Sequence, residues 1–146
     1  FFRGPGLTAL EPGEIVKEIR LPHPGKSAAS SYQKVSARSK VDIAAAAVAA
    51  LISLDGEGHC AKARIALGAV GPTPIRARRA EAVMEGHAPS PELITRAGVA
   101  AAEESSPISD VRASAGYRKA MVEVLTRRAL TAAAEAAGKL AAGCEI

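Results

Sequence analysis

With 146 residues, the chain has room for one ordinary domain, or for one domain plus part of another. Apolar residues make up 48% and charged residues 23%, which supports a packed core and excludes a chain disordered by composition. The net charge of +4 is spread over scattered Arg and Lys, and with no Trp and only two Phe and two Tyr a base-stacking platform is excluded.

The N-terminal stretch "FFRGPGLTALEPGEIVKEIRLPHPG" opens on turn residues, Gly4, Pro5 and Gly6, then Pro12 and Gly13. It has no Met and is read as starting inside a longer polypeptide. From Glu14 to Leu21 the residues alternate, with Ile15, Lys17, Ile19 and Leu21 on one side, and this predicts a half-buried strand. Residues 22–31 are rich in Pro, Gly and Ser and read as a linker. A short strand is expected over Ser31 to Arg38.

The next segment, "VDIAAAAVAALISLDGEG", carries helix-favouring alanines. It also runs into Asp55-Gly56, a hairpin-turn signal, and is followed by "CAKARIALGAV". A hairpin joined at Asp55–Gly58 accounts for both halves. After Gly71, Pro72 and Pro74 the chain turns helical, with "RARRAEAVMEG" stopped by Gly86. A second helix starts at Ser90-Pro91, a good N-cap followed by Pro at the first helical position, and is broken at Ser106-Pro107. A last helix carries Tyr117, Met121, Val124, Leu125 and Leu130 and frays near Gly138. Strands first and helices after predict an α+β domain, its helices on one face of a small antiparallel sheet.

Chemistry-bearing motifs are sparse. His23, His59 and His87 sit in Gly/Pro-rich loops without metal-ligand spacing, and Cys60 and Cys144 form no C-x-x-C pair. This fits a reduced, cytosolic setting. The apolar run from Val41 to Leu54 contains Asp42 and is too short to span a bilayer, and no signal peptide is visible. Tyr117 lacks a Lys four residues on, and "GPG" at Gly4 is no phosphate-cradling loop. In "SDVRAS", Asp110 beside Arg112 reads as a cap with a local ion pair. The residues alone describe a binding or assembly module. One form of it docks a protein or nucleic acid through Arg76, Arg78 and Arg79.

Four stretches, in order, carry a resemblance: "FFRGPGLTALEPGEIVKEIRLP", "YQKVSARSKVDIA", "ARIALGAVGPTPIRARRAE" and "PISDVRASAGYRKAMVEVLTRRAL". Together they resemble the C-terminal part of the FAD-binding medium subunit of the molybdenum hydroxylases, which include the carbon monoxide and xanthine dehydrogenases. The resemblance extends to about Leu130 and does not specify a substrate.

The resemblance implies a fold of a three-stranded antiparallel sheet followed by three helices packed on it. It implies that residues 1–26 are the tail of the FAD-binding region plus a linker, and that residues 27–146 are the flavoprotein C-terminal domain. It further implies an oxidoreductase subunit that passes electrons from molybdenum and iron–sulfur centres through FAD to an acceptor. Molybdopterin would reside in a large partner subunit and [2Fe–2S] clusters in a small one, with no nucleic acid and no membrane span. The fragment would cap the flavin and support subunit assembly; alone, it would be inactive. By the same resemblance "SSYQKVSARSKVDIA" approaches the flavin. Tyr32 is the expected flavin contact, since a Tyr ring offers a flat apolar face with a polar tip, and Lys34 and Arg38 are its expected polar neighbours. The other reading makes Tyr32 a partly buried strand residue and the two cations a solvated strand face.

Overall fold

The computed structural model describes residues 1–38 and 42–143. Its secondary elements run in the order β1 (Phe2–Gly4), β2 (Leu7–Thr8), β3 (Ala28–Ser36), β4 (Ala44–Leu54), β5 (Cys60–Gly68), β6 (Ile75–Arg76), α1 (Arg78–Met84), α2 (Pro91–Glu104) and α3 (Ala115–Ala141). β1 and β2 form a small antiparallel hairpin of their own. The main sheet is antiparallel in the order β3-β4-β5-β6, with α3 against β3 and β4, α1 against β5, and α2 against the other two helices.

The alanine-rich segment is a strand despite its helix propensity, because tertiary pairing overrides propensity. The Asp55 turn sets its register. Asp55 Oδ1 accepts from the Glu57 and His59 backbone N–H groups, each at 2.9 Å, and Gly58 takes φ +82°. This Asx-type turn pairs Val48 with Leu67, Ala50 with Ile65 and Ile52 with Ala63, placing one apolar row of each strand under the helices. β3 adds Ala29 and Val35 to that face.

Two sequence expectations for the sheet need correction. It has four strands instead of three, because the turn through Gly71, Pro72 and Pro74 folds Ile75–Arg76 back onto β5 before the helix begins. Two residues are too few to show a period in the sequence. The second correction concerns Glu14 to Leu21, which form no strand, and Ile15, Ile19 and Leu21 are at least 80% exposed. Alternation supplies two faces but not the ladder partner that a strand needs for its N–H and C=O groups, and no described strand pairs with this segment.

The helix boundaries follow local chemistry. Ser90 Oγ accepts from Leu93 N–H at 3.2 Å, with Pro91 next, and Ser114 Oγ caps α3 through Tyr117 N–H at 3.2 Å. α1 has no side-chain cap of its own. Its Arg79 and Ala80 N–H groups are met by the Glu104 carboxylate at the end of α2, at 2.8 and 3.3 Å. α3 continues past Gly138 to Ala141, three residues beyond the expected fraying point. Gly98 lets α2 approach α3 closely: a Cβ there would lie 3.1 Å from the Glu123 carbonyl oxygen. Cys60 is buried in the core, and burial pushes its thiol up to about 11; Cys144 lies outside the described residues.

Candidate functional site

Each strand of the sheet turns its other residues away from the helices, so this second face is not covered by them. The strand register puts Tyr32, Ala49, Ala66 and Arg76 in one row across it. The adjacent row holds Lys34, Ala47 and Gly68. Neighbouring strands lie about 4.8 Å apart, so Tyr32 stands at one border of a floor two strands wide and made of Ala and Gly. Tyr32 is 63% exposed, and Ala49 opposite it is exposed as well, whereas Ala47 opposite Lys34 is buried. The partly buried reading of Tyr32 is therefore not what the fold shows.

The two predicted cations are organised by one residue. Lys34 Nζ donates to the Asp42 carbonyl oxygen at 2.7 Å. Arg38 meets the Asp42 carboxylate through Nε at 3.1 Å. Asp42 Oδ1 also accepts from Ile43 N–H at 2.9 Å. The Arg38 guanidinium, followed by the Ile43 N–H, holds the Asp42 carboxyl below its ordinary value. Arg38 is thus largely neutralised by its partner, and the Lys34 charge acts on the same carboxylate.

Behind this loop lies a cluster that residue spacing did not reveal. Arg118 is only 4% exposed, yet its guanidinium reaches three separate segments. It donates to the Ala45 carbonyl at 2.8 Å, to the Ala69 carbonyl at 3.2 Å and to Asp110 Oδ1 at 2.7 Å. Ala69 has φ +62°, a left-handed conformation that costs a non-Gly residue about 1–2 kcal/mol and is held here partly by that bond. Arg118 Nε has no partner among the described residues. Asp110 is fastened in turn by Arg112, through its side chain at 2.7 Å and its N–H at 2.9 Å. A hollow of about 450 Å³ opens over Arg118, walled by Pro5, Ile43, Pro72 and Ile108. One signal was available in sequence: Arg118 stands on the stripe that continues through Val122, Leu125, Ala129, Ala133 and Ala137, where a charge is out of place.

The model of the CO dehydrogenase flavoprotein C-terminal domain matches residues 31–133. The chain belongs to this family. It is 36% identical over 130 residues to the carbon monoxide dehydrogenase medium chain of Afipia carboxidovorans, covering 89% of this chain and 44% of that one. The xanthine dehydrogenase FAD-binding subunit of Escherichia coli O157:H7 is 30% identical over 139 residues, covering 94% and 47%. Among solved structures, carbon monoxide dehydrogenase from Hydrogenophaga pseudoflava superposes with a TM-score of 0.87 at 37% identity, over 93% of this chain and 47% of that one. Quinoline 2-oxidoreductase from Pseudomonas putida 86 superposes at 0.82 with 32% identity, covering 92% and 46%. The chain thus spans about half the length of the curated relatives it matches.

In this CO dehydrogenase flavoprotein C-terminal domain, the Asp110 cluster gives a definite acid response. The Arg112 N–H, with Arg118 and Ala113, holds the Asp110 carboxyl down at about 2, below its ordinary 3.8. A carboxylate depressed in the folded state adds stability that is fully present above its unfolded pKa and fades as pH falls through the folded one. Unfolding free energy is therefore expected to drop between pH about 4 and about 2. In Asp110→Asn, which has no such proton to take up, that decline should be shallower. Urea unfolding at stepped pH reads both slopes.

Proposed function

We propose that this domain covers the flavin of an FAD-carrying oxidoreductase subunit of the molybdenum-hydroxylase class, with Tyr32 at the contact. The observation that carries the reading is the open sheet face: an exposed Tyr32 ring beside a low floor of Ala49, Ala66 and Gly68. A flat aromatic group fits such a floor, since nothing on it stands higher than a methyl. The names of relatives as FAD-binding subunits support the same reading. Residues 27–146 form the C-terminal domain and residues 1–26 the tail of the FAD-binding region plus a linker. The partners are a molybdopterin-binding large subunit and a small subunit with [2Fe–2S] clusters, in the cytoplasm. No helix among the described residues is long and apolar enough to cross a membrane.

Bound FAD would supply a two-electron carrier that passes reducing equivalents to a final acceptor. The chain's own residues bind and orient it. Tyr32 lays its ring against the flavin and keeps water off one side. Lys34, anchored on the Asp42 carbonyl, places positive charge beside the ring system and favours the reduced, anionic form. Arg38 contributes less, because Asp42 already faces it. No catalytic side chain is required of this domain.

The interaction-module reading draws less support. Of the three arginines that suggested it, Arg76 is bound to Glu81 at 2.7 Å, and Arg79 meets Glu103 and Glu104. Both pairings tie the domain to itself.

The test uses the longest natural chain that carries this sequence, purified with its flavin. Tyr32→Ala is expected to perturb the visible flavin spectrum, and Ala49→Leu, which raises the floor, to lower flavin occupancy at least tenfold. Both sites are solvent-facing, so thermal stability should change little. If spectrum and occupancy stay unchanged in both variants, the open face is not the flavin surface.

A further inference from the structure

We propose that the turn carrying Val111, with Ile108 and Ile43 beside it, is the surface on which the small [2Fe–2S] partner subunit docks. This inference rests on the flavin reading of the open face and gives that face a neighbour.

The surface consists of exposed aliphatic side chains on a rigid frame. Val111 is fully exposed, and Ile108 and Ile43 are each more than half exposed. Val111 sits between Asp110 and Arg112, in a turn closed by the Asp110–Ala113 bridge, where Asp110 N–H donates to the Ala113 carbonyl at 3.1 Å. Asp110 Oδ1 accepts in return from the Arg112 and Ala113 N–H groups, at 2.9 and 3.2 Å, and from the buried Arg118 at 2.7 Å. These bonds fix the backbone under a side chain that covers nothing in the domain. Clustered apolar groups held out to water mark a contact surface, and a rigid frame means that little ordering remains to be done on binding. Ile43 lines two hollows of about 450 and 440 Å³, one shared with Ile108 and the other with Val111. Such relief suits interdigitation with side chains of a second protein.

The charges around the tip complement an acidic partner. Arg38 pairs with Asp42, and Arg112 with Asp110. In both pairs the carboxylate is the recessed member: the two side chains are 84% and 17% exposed in the first, and 45% and 23% in the second. The guanidinium groups therefore face outward around an apolar centre, which fits an acidic rim around an apolar socket. Position selects the subunit. Ile43 follows Asp42 directly, and Asp42 binds Lys34 and Arg38 at the β3 border of the open face. A protein seated on Val111 and Ile43 lies beside that border. On the β6 side, Arg64 and Arg76 are tied to Glu81 and Glu85 within the domain. A cluster and a flavin exchange electrons only across a short gap, so of the two proposed partners the small subunit is the one that belongs here.

The test titrates the small iron–sulfur subunit into the longest natural chain that carries this sequence, loaded with its flavin. It reads the dissociation constant beside flavin occupancy and thermal midpoint. Val111→Asp and Ile108→Asp each put a carboxylate into the apolar centre and should weaken binding by about tenfold or more. Both side chains are exposed and neither makes the bonds of the turn, so occupancy and midpoint should stay at wild-type values. Arg112→Gln should weaken binding at low salt and make it less sensitive to salt. Val99→Asp, at an exposed aliphatic on α2 that lines neither hollow, should bind as wild type does.

Wild-type affinity in both Val111→Asp and Ile108→Asp overturns the proposal. So does an equal loss in Val99→Asp, or a wild-type chain that does not bind the small subunit. Release of flavin by either tip variant assigns the surface to the flavin-binding region and also overturns it. Tyr32→Ala keeps the two readings apart. Unchanged affinities beside a perturbed Tyr32→Ala spectrum remove the docking surface and leave the flavin reading. Weakened binding beside an unperturbed spectrum keeps the docking surface and removes the flavin reading.

Discussion

Glu81→Ala is expected to destabilise the domain by about 3 kcal/mol, through the loss of several directional bonds at once. Glu81 is buried on α1, and its Oε1 accepts from the Ile65 N–H on β5 at 2.8 Å. The same carboxylate takes a two-point grip from Arg76, at 2.7 and 2.8 Å. Burial alone would raise the Glu81 pKa, but Arg76 and the Ile65 N–H outweigh it and the net shift is downward. The physical role is edge protection. β6 pairs with β5 only at Ala66 and Leu67, so the N–H groups of Ile65 and Ala63 on that edge need other partners. Glu81 and, one turn later, Glu85 cover it by accepting from Ile65 and Ala63. Alanine leaves the buried Ile65 donor unpaired, which by itself costs about 1–3 kcal/mol. Glu81→Gln keeps an acceptor for Ile65 and loses the ion pair, so it should cost less than the alanine. Urea unfolding, with slope unchanged and midpoint lowered, gives both values.

The second large effect is expected of Leu130→Ala, at about 3–4 kcal/mol. Leu130 is fully buried on α3. Nearly half of the core cluster is alanine, among them Ala97, Ala101, Ala129 and Ala133. Short side chains cannot swing into a void, so the cavity stays open and the cost falls in the upper part of the Leu→Ala range. Leu125→Ala, at the margin of the core with 3% exposure, should cost no more than this. Denaturant midpoints of the two variants, at matched slope, rank the sites.

What could be read from sequence divides along a physical line. The β4–β5 hairpin was legible because Asp55 and Gly58 fix it locally, and α2 because Ser90 and Pro91 mark its start. Features that depend on a remote partner were not. Residues Glu14 to Leu21 have the alternation of a strand without a described ladder to join. β6 exists only because the Pro72–Pro74 turn brings two residues back onto β5. The α1 N-terminus is met by Glu104, about 25 residues away, and no local pattern reports it. At the candidate site, Tyr32, Lys34 and Arg38 follow from a resemblance, and the Arg38–Asp42 pair comes from the structure. The Ala49 and Ala66 floor needs the strand register, and the bonds of the Arg118 cluster need the fold.

The central claim is that the open sheet face lies on the flavin. The crystal structure of the longest natural chain carrying this sequence, with FAD bound, measures it most directly. The account predicts the Tyr32 ring in van der Waals contact with the flavin ring system, above Ala49 and Ala66, with the Lys34 ammonium on the same side. A flavin seated elsewhere, with the open face covered by protein alone or left to solvent, would contradict it.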